Sequence, residues 1–272
     1  MLNQAIIPLA GLGTRLLPLS SIIPKELLPI NGKVNLEYIL DECIEAGIKE
    51  FIFVISKKKE NIKKYFFNDS FYKSILNKKK DKRINDAFIK LKKYQKMIKF
   101  VYQNKPKGTG DAILKCKKHI TESHFLMLFP DDLIIKKNCS KEMIALYKKT
   151  KSSIIATKIV KKEDVIRYGI LSLKNRKKNY FTIKDVVEKP SMKNTPSNYA
   201  IIGRYILPKK IMFKLKNLKP GQGGEIHITD AIKQLIKDGE TFHGNIFKGK
   251  YLDCGTLNGY INSGIQISKE KN

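Results

Sequence analysis

Residues 4–29 read QAIIPLAGLGTRLLPLSSIIPKELLP. The apolar run 4–9 predicts a short buried strand. Gly11 and Gly13 follow, and glycine permits backbone angles and close approaches that a side chain blocks. Bare N–H groups in such a turn can point at an anion. Arg15 adds a planar fork for a phosphate, and Lys25, between Pro24 and Pro29, adds a mobile point charge. The expectation is a loop that grips a polyphosphate between two cations; the plainer alternative is a tight turn. Leu16 stands where the dinucleotide fingerprint has its third glycine, and no Gly-Lys-Ser/Thr follows to make a P-loop, so both common nucleotide loops are disfavoured.

Outward from this loop, Leu36, Ile39, Leu40, Cys43 and Ile44 recur at helical spacing, and Gly47 stands where a helix ends. Residues 50–56, EFIFVIS, form a continuous apolar run of the kind buried on both faces of a sheet. Strand, loop, helix and strand make a βαβ unit and predict an α/β fold: a Rossmann-like, doubly wound, mixed and mostly parallel sheet with helices on both faces. The lysine-dense residues 57–97 read as surface helices with solvated faces around a few core anchors. A further strand at 98–103 runs into Gly108 and Gly110 and a helix over 111–119. In an open parallel sheet these glycines can share a crevice with those at 11 and 13.

The very apolar strand 125–129, FLMLF, ends in Pro130, Asp131 and Asp132. Adjacent carboxylates at the end of a buried strand suit a hard cation, typically magnesium completed by substrate phosphates. A helix at 141–149 and a strand at 152–159 extend the sheet, after which strands dominate. The segment 182–187 leads into Glu188, Lys189 and Pro190, a strand follows at 198–207, and Thr229 is expected to cap a helix over 229–238. Asp253 ends another short strand, and an amphipathic helix is expected over 257–268.

The 272 residues are 42% hydrophobic, with no apolar run of membrane-spanning length and no signal-like start, so a cytoplasmic location is expected. Four scattered cysteines without paired spacing predict neither zinc nor disulfides, and Cys43 and Cys116 fall on apolar helical stripes. The formal charge of +29 raises nucleic-acid binding as a rival reading. Only Arg15, Arg83, Arg167, Arg176 and Arg204 are arginines, however, and the lysines are spread over most predicted elements. Nucleic-acid readers favour arginine forks, so biased composition is preferred to a dedicated basic surface.

The strings GLGTRLLP and PKELLP, LFPDDLI, VVEKP, GRY and EI-x-x-TDAI occur in order from Ile7 to Tyr260. Together they resemble the sugar-1-phosphate nucleotidylyltransferases, specifically the bacterial UTP-glucose-1-phosphate uridylyltransferase group. The resemblance implies one nucleotidyltransferase domain over 1–272, with a nucleotide half over about 1–150, a sugar-phosphate half over about 151–255 and the C-terminal helix beyond. It implies UTP and glucose 1-phosphate as substrates, Mg2+ as cofactor, no specific nucleic acid, no membrane, and a homodimer or homotetramer. Ala10, Gly11, Gly13, Glu26, Gln103 and Gly108 match nucleotide-binding positions, and Gly169, Glu188 and Lys189 match sugar-phosphate positions. Arg15, Lys25 and Lys189 match catalytic cations; Asp131 matches the metal ligand, with Asp253 a weaker second. Thymidylyl- and cytidylyltransferases share much of this pattern. Val34 departs from it, standing where a proline usually follows Lys33.

Overall fold

The computed structural model describes residues 2–270. Its strands are Gln4–Pro8 (β1), Pro29–Ile30 (β2), Lys33–Val34 (β3), Glu50–Ile55 (β4), Ile98–Tyr102 (β5), His124–Leu128 (β6) and Asp132–Ile135 (β7). After these come Ser153–Ile159 (β8), Gly169–Lys174 (β9), Tyr180–Glu188 (β10), Tyr199–Pro208 (β11), Phe242–Ile246 (β12) and Lys250–Asp253 (β13). The helices are Asn35–Glu45 (α1), Glu60–Phe67 (α2), Asp69–Lys78 (α3), Lys82–Gln95 (α4), Thr109–Lys115 (α5), Cys139–Thr150 (α6), Ile211–Asn217 (α7), Ile228–Lys237 (α8) and Leu257–Lys269 (α9).

Nine strands form one sheet in the order β5-β4-β1-β6-β11-β8-β12-β10-β9. The joins β5-β4, β4-β1, β1-β6 and β8-β12 are parallel, whereas β11 and β10 are antiparallel to their neighbours. Two small ribbons, β2-β3 and β7-β13, lie outside this sheet. The chain leaves β1 toward β4 and β5 on one side and reaches β6 on the other, so the strand order reverses between β1 and β6. Crevices for ligands open at the carboxyl ends of strands at such a reversal. The loop after β1 carries Gly11 to Lys25, and the turn after β6 carries Asp131.

Strand periodicity explains the two cores. Ala5, Ile7 and Leu9 enter one cluster with Leu36 and Ile39 of α1 and Met143 of α6, while Ile6 enters the other with Ile113 of α5 and Ile211 of α7. Phe51, Phe53 and Ile55 of β4 divide from Ile52 and Val54 in the same way. Helices therefore cover both faces, which is why these strands are apolar on both sides after the polar Gln4 and Glu50 that open them.

The lysine-rich region folds as α2, α3 and α4. No residue of α3 is buried, and α4 buries Leu91 and Tyr94. The region shares an apolar cluster with α1 through Ile62, Phe66, Leu91 and Tyr94, and polar contacts add to it: Lys90 Nζ donates to Glu37 at 2.5 Å, Tyr94 Oη donates to Asp41 at 2.5 Å, and Tyr65 Oη donates to Glu37. Among the described residues, no helix is long and apolar enough to cross a membrane.

Candidate active site

The loop after β1 is held open by short 3-10 turns at Thr14–Leu16, Leu19–Ser21 and Lys25–Leu27. Gly13 has φ +70, and Ser20 Oγ donates to its carbonyl at 2.8 Å. A Cβ on Gly11, by contrast, would meet nothing within 4 Å. No protein neighbour demands a glycine there; a ligand lying against the backbone would.

Lys25 and Arg15 both turn toward the end of β6. Lys25 Nζ donates to Asp131 Oδ2 at 2.6 Å, and Arg15 Nη2 lies 3.6 Å from the same oxygen. Burial pushes the Asp131 carboxyl up, but Lys25 and Arg15 outweigh it and hold the group below the usual carboxylate range. Burial likewise pushes the Lys25 ammonium down, while Asp131 and Glu26 hold it above its ordinary value. The arrangement is a fixed positive edge on an anionic turn.

Gly255 is where these groups meet. A Cβ there would stand 2.8 Å from Asp131 Oδ2, 2.9 Å from Arg15 Nη2 and 3.1 Å from Asp253 Oδ1. Asp253 Oδ1 accepts from Gly255 N at 2.8 Å, and its Oδ2 accepts from Arg167 Nη2 at 3.0 Å. The structure thus brings Asp131 and Asp253, far apart along the chain, onto one spot. Among the described residues, no group of three or more His, Cys, Asp and Glu gathers to hold a metal alone. Two carboxylates without histidine or thiolate fit a hard divalent cation that takes its remaining oxygens from substrate phosphates and water.

Asp132 is different. Its Oδ1 accepts from Tyr251 Oη at 2.6 Å and its Oδ2 from Gly203 N at 3.1 Å. Burial first, and then the charge of Asp131, push its carboxyl up to about 6. Gly203 lies where the β11-β8 register shifts between Ile201 and Tyr205, and a Cβ there would collide with Asp132 Oδ2. This bulge lets the carboxylate reach the strand backbone. Beneath it, the fully buried Arg204 donates to Phe129 O and Asp132 O and pairs with Glu42 at 3.0 Å. The turn carrying Asp131 is therefore braced from below.

Glu188 ends β10 opposite Gly169 of β9. A Cβ on Gly169 would lie 3.2 Å from Glu188 Oε2 and 3.4 Å from Thr229 Cγ2. Thr229 Oγ1 donates to Glu188 Oε2 at 3.0 Å. The expected cap is thus corrected: α8 begins at Ile228 with His227 at its cap, and the Thr229 hydroxyl serves the glutamate. Lys189 is exposed, at φ +42, with its N–H donated to Tyr168 O at 3.0 Å. That left-handed backbone is uncommon for a non-glycine residue and aims the lysine out of the strand line. Burial, Asp253 and Asp132 push the Tyr168 phenol up, opposed by Arg167, so one residue links the Lys189 backbone to the acidic cluster. Tyr205 likewise feels burial, Glu188 and Asp132.

In the segment after β5, the buried Gln103 donates from Nε2 to Gly108 O at 3.0 Å and to Asp111 Oδ2 at 2.8 Å. The missing side chains of Gly108 and Gly110 make room for Ile226: Gly110 N donates to Ile226 O at 2.7 Å, and a Cβ on Gly108 would sit 2.7 Å from that oxygen. These glycines answer packing in the chain itself. Ala10 is buried at the strand end, and Glu26 is fully buried with both oxygens on Lys59 at 2.8 and 2.9 Å. Lys59, Thr229, Gly203 and Gly255 were not read as site residues from sequence. Gly203, a lone glycine within an apolar strand run that marks a close backbone approach, and Gly255, directly after Asp253 and Cys254, carried a local signal.

The family model for nucleotidyl transferases matches residues 4–270. The chain is 36% identical over 268 residues to the UTP–glucose-1-phosphate uridylyltransferase of Mycoplasma pneumoniae, covering 97% of this chain and 91% of that one. It is 35% identical over 271 residues to the UTP–glucose-1-phosphate uridylyltransferase of Bacillus subtilis, covering 98% and 91%. A crystal structure of UDP-glucose pyrophosphorylase complexed with UDP-glucose superposes with a TM-score of 0.88 at 34% identity, covering 99% of this chain and 100% of that one. With the ordered strings, the α/β sheet and the convergent site all present, this chain belongs to the nucleotidyl transferase family.

Proposed function

We propose that the protein transfers a uridylyl group from UTP to glucose 1-phosphate, giving UDP-glucose and pyrophosphate. The observation that carries this reading is the convergence of Arg15, Asp131 and Asp253 around Gly255, with Lys25 on Asp131, at the strand-order reversal. An oxygen of the sugar phosphate attacks the α-phosphorus of UTP in line, and the bond to the bridging oxygen breaks with its electron pair leaving on pyrophosphate. Lys189 aims the attacking phosphate. Arg15 and Lys25 balance the charge that grows on the leaving group. Asp131 and Asp253 would hold Mg2+, which would supply neutralisation of phosphate charge.

Ala10, Gly11 and Gly13 present backbone to the nucleotide, and Gln103 and Gly108 face its base. Glu188 takes sugar hydroxyls, with Gly169 leaving room for the ring. No side chain needs to act as a nucleophile: all four cysteines are buried, and burial pushes the site-adjacent Cys254 thiol up to about 12. The frame is read as a doubly wound, Rossmann-like domain with a nucleotide half and a sugar-phosphate half, supported by helices on both faces. A homodimer or homotetramer is supported by the exposed Leu257, Ile261 and Ile265 along α9 and is measurable by light scattering. A cytoplasmic enzyme fits the lack of a membrane-crossing helix among the described residues.

The test is pyrophosphate release with Mg2+ and glucose 1-phosphate, comparing UTP, dTTP, CTP and ATP. UTP is expected to be preferred, with release dependent on sugar phosphate and metal. Preference for dTTP or CTP would overturn the base assignment, and no release from folded protein would overturn the reading.

A further inference from the structure

Of the three consecutive lysines at 57–59, Lys57 and Lys58 are exposed, whereas Lys59 is 8% exposed. Its N–H donates to Ser56 O at 2.8 Å, which closes a 3-10 turn at the carboxyl end of β4. Its ammonium spans both oxygens of Glu26, and Glu26 is 0% exposed. Glu26 shares the turn Lys25–Leu27 with the lysine that lies on Asp131. The half-buried pair Asp131 and Lys25 and the buried pair Glu26 and Lys59 thus form a line of alternating charge: Asp131, Lys25, Glu26, Lys59. The line joins the loops after three neighbouring parallel strands, β6, β1 and β4.

We infer that Lys59 is a positioning residue for catalysis: by occupying both oxygens of Glu26 it leaves Lys25 on Asp131, aimed at the phosphates of the nucleotide. A buried carboxylate demands a cation, and removing one partner of a buried pair leaves an uncompensated charge. Lys25 adjoins Glu26 and already feels its charge. Without Lys59, Glu26 competes with Asp131 for the neighbouring Lys25 ammonium, and Lys25 is drawn out of line. A purely structural Lys59 would hold the two loops together but would not set where Lys25 points.

This inference rests on the proposed uridylyl transfer, and the wild-type protein tests that reading first: without pyrophosphate release from UTP, the reading itself fails. With an active wild type, Lys59→Met is compared with the double variant Lys59→Met/Glu26→Gln, which removes the competing charge. Thermal unfolding fixes an assay temperature at which all variants are folded. Lys59→Met is expected to lower kcat about 10- to 100-fold, with KM for glucose 1-phosphate within about twofold, and the double variant to regain about tenfold. A kcat for Lys59→Met within about twofold of wild type overturns the inference, as does a loss the double variant does not recover. Where Lys59→Met does not fold, the double variant is compared with wild type; a kcat within about tenfold supports the inference, and a larger loss overturns it.

Discussion

Lys25 and Lys189 are both assigned to phosphate, yet their surroundings differ sharply. Lys25 is half-buried against Asp131, whereas Lys189 is exposed on a left-handed backbone. Lys25→Ala and Lys189→Ala are each expected to cost about 2–4 kcal/mol of transition-state stabilisation, read from kcat/KM. Near-normal turnover in either variant would remove that lysine from the mechanism. Asp131→Asn is expected to shift the Mg2+ titration of activity to higher concentration. An unchanged titration would move the metal to Asp253, since both Asp132 oxygens are already taken by Tyr251 and Gly203. Residues with a local signature were legible in sequence: glycines after a strand, paired acids at a strand end, an acid beside a lysine. Lys59 was not, because one lysine among many says nothing about which of them turns inward. Thr229 misled for a related reason, since a hydroxyl near a helix start suits both a cap and a partner for Glu188.

The bulged strand β11 is the element on which the acidic turn rests. Every residue from Tyr199 to Pro208 is buried, and Gly203 leaves no space for a side chain beside Asp132 and Phe129. Gly203→Ala is expected to lower stability by about 1–3 kcal/mol, the scale of overpacking, measured by urea unfolding. An unchanged midpoint would show that the turn yields freely. Element positions were legible from apolar runs and turn residues, whereas the bulge, which depends on register between distant strands, was not. The contact between α1 and α4 adds a pH dependence. Burial pushes the Asp41 carboxyl up, but hydrogen bonds from Lys33 and Tyr94 hold it below its ordinary value. Its contribution is thus fully present above an unfolded pKa of about 3.9 and is lost as pH falls through the lower folded value. Asp41→Asn is expected to flatten the loss of urea midpoint below about pH 4; an unaltered slope would assign the acid sensitivity elsewhere.

Across the whole molecule, one sheet carries both the glycine loop after β1 and the Glu188 cluster, and its strand-order reversal places Asp131 beside that loop. The alternation of strand and helix made the α/β class legible, and the ordered strings pointed to the residues of the candidate site. The antiparallel insertions β11 and β10 were beyond a reading of local runs, because pairing direction is set by long-range topology. The charge of +29 is spread over exposed lysines, including all of α3's, rather than gathered at the crevice. Duplex DNA binding is accordingly expected to fall steeply with salt and to show no sequence preference; a preferred sequence would point to a dedicated basic surface. The central claim is a single in-line displacement at the α-phosphorus, performed by positioned cations without a covalent enzyme intermediate. Its most direct test is the stereochemical course with UTP bearing a chiral α-phosphorothioate. One displacement predicts inversion at phosphorus in the UDP-glucose analogue, whereas retention would require two displacements through a uridylyl-enzyme and would contradict the account.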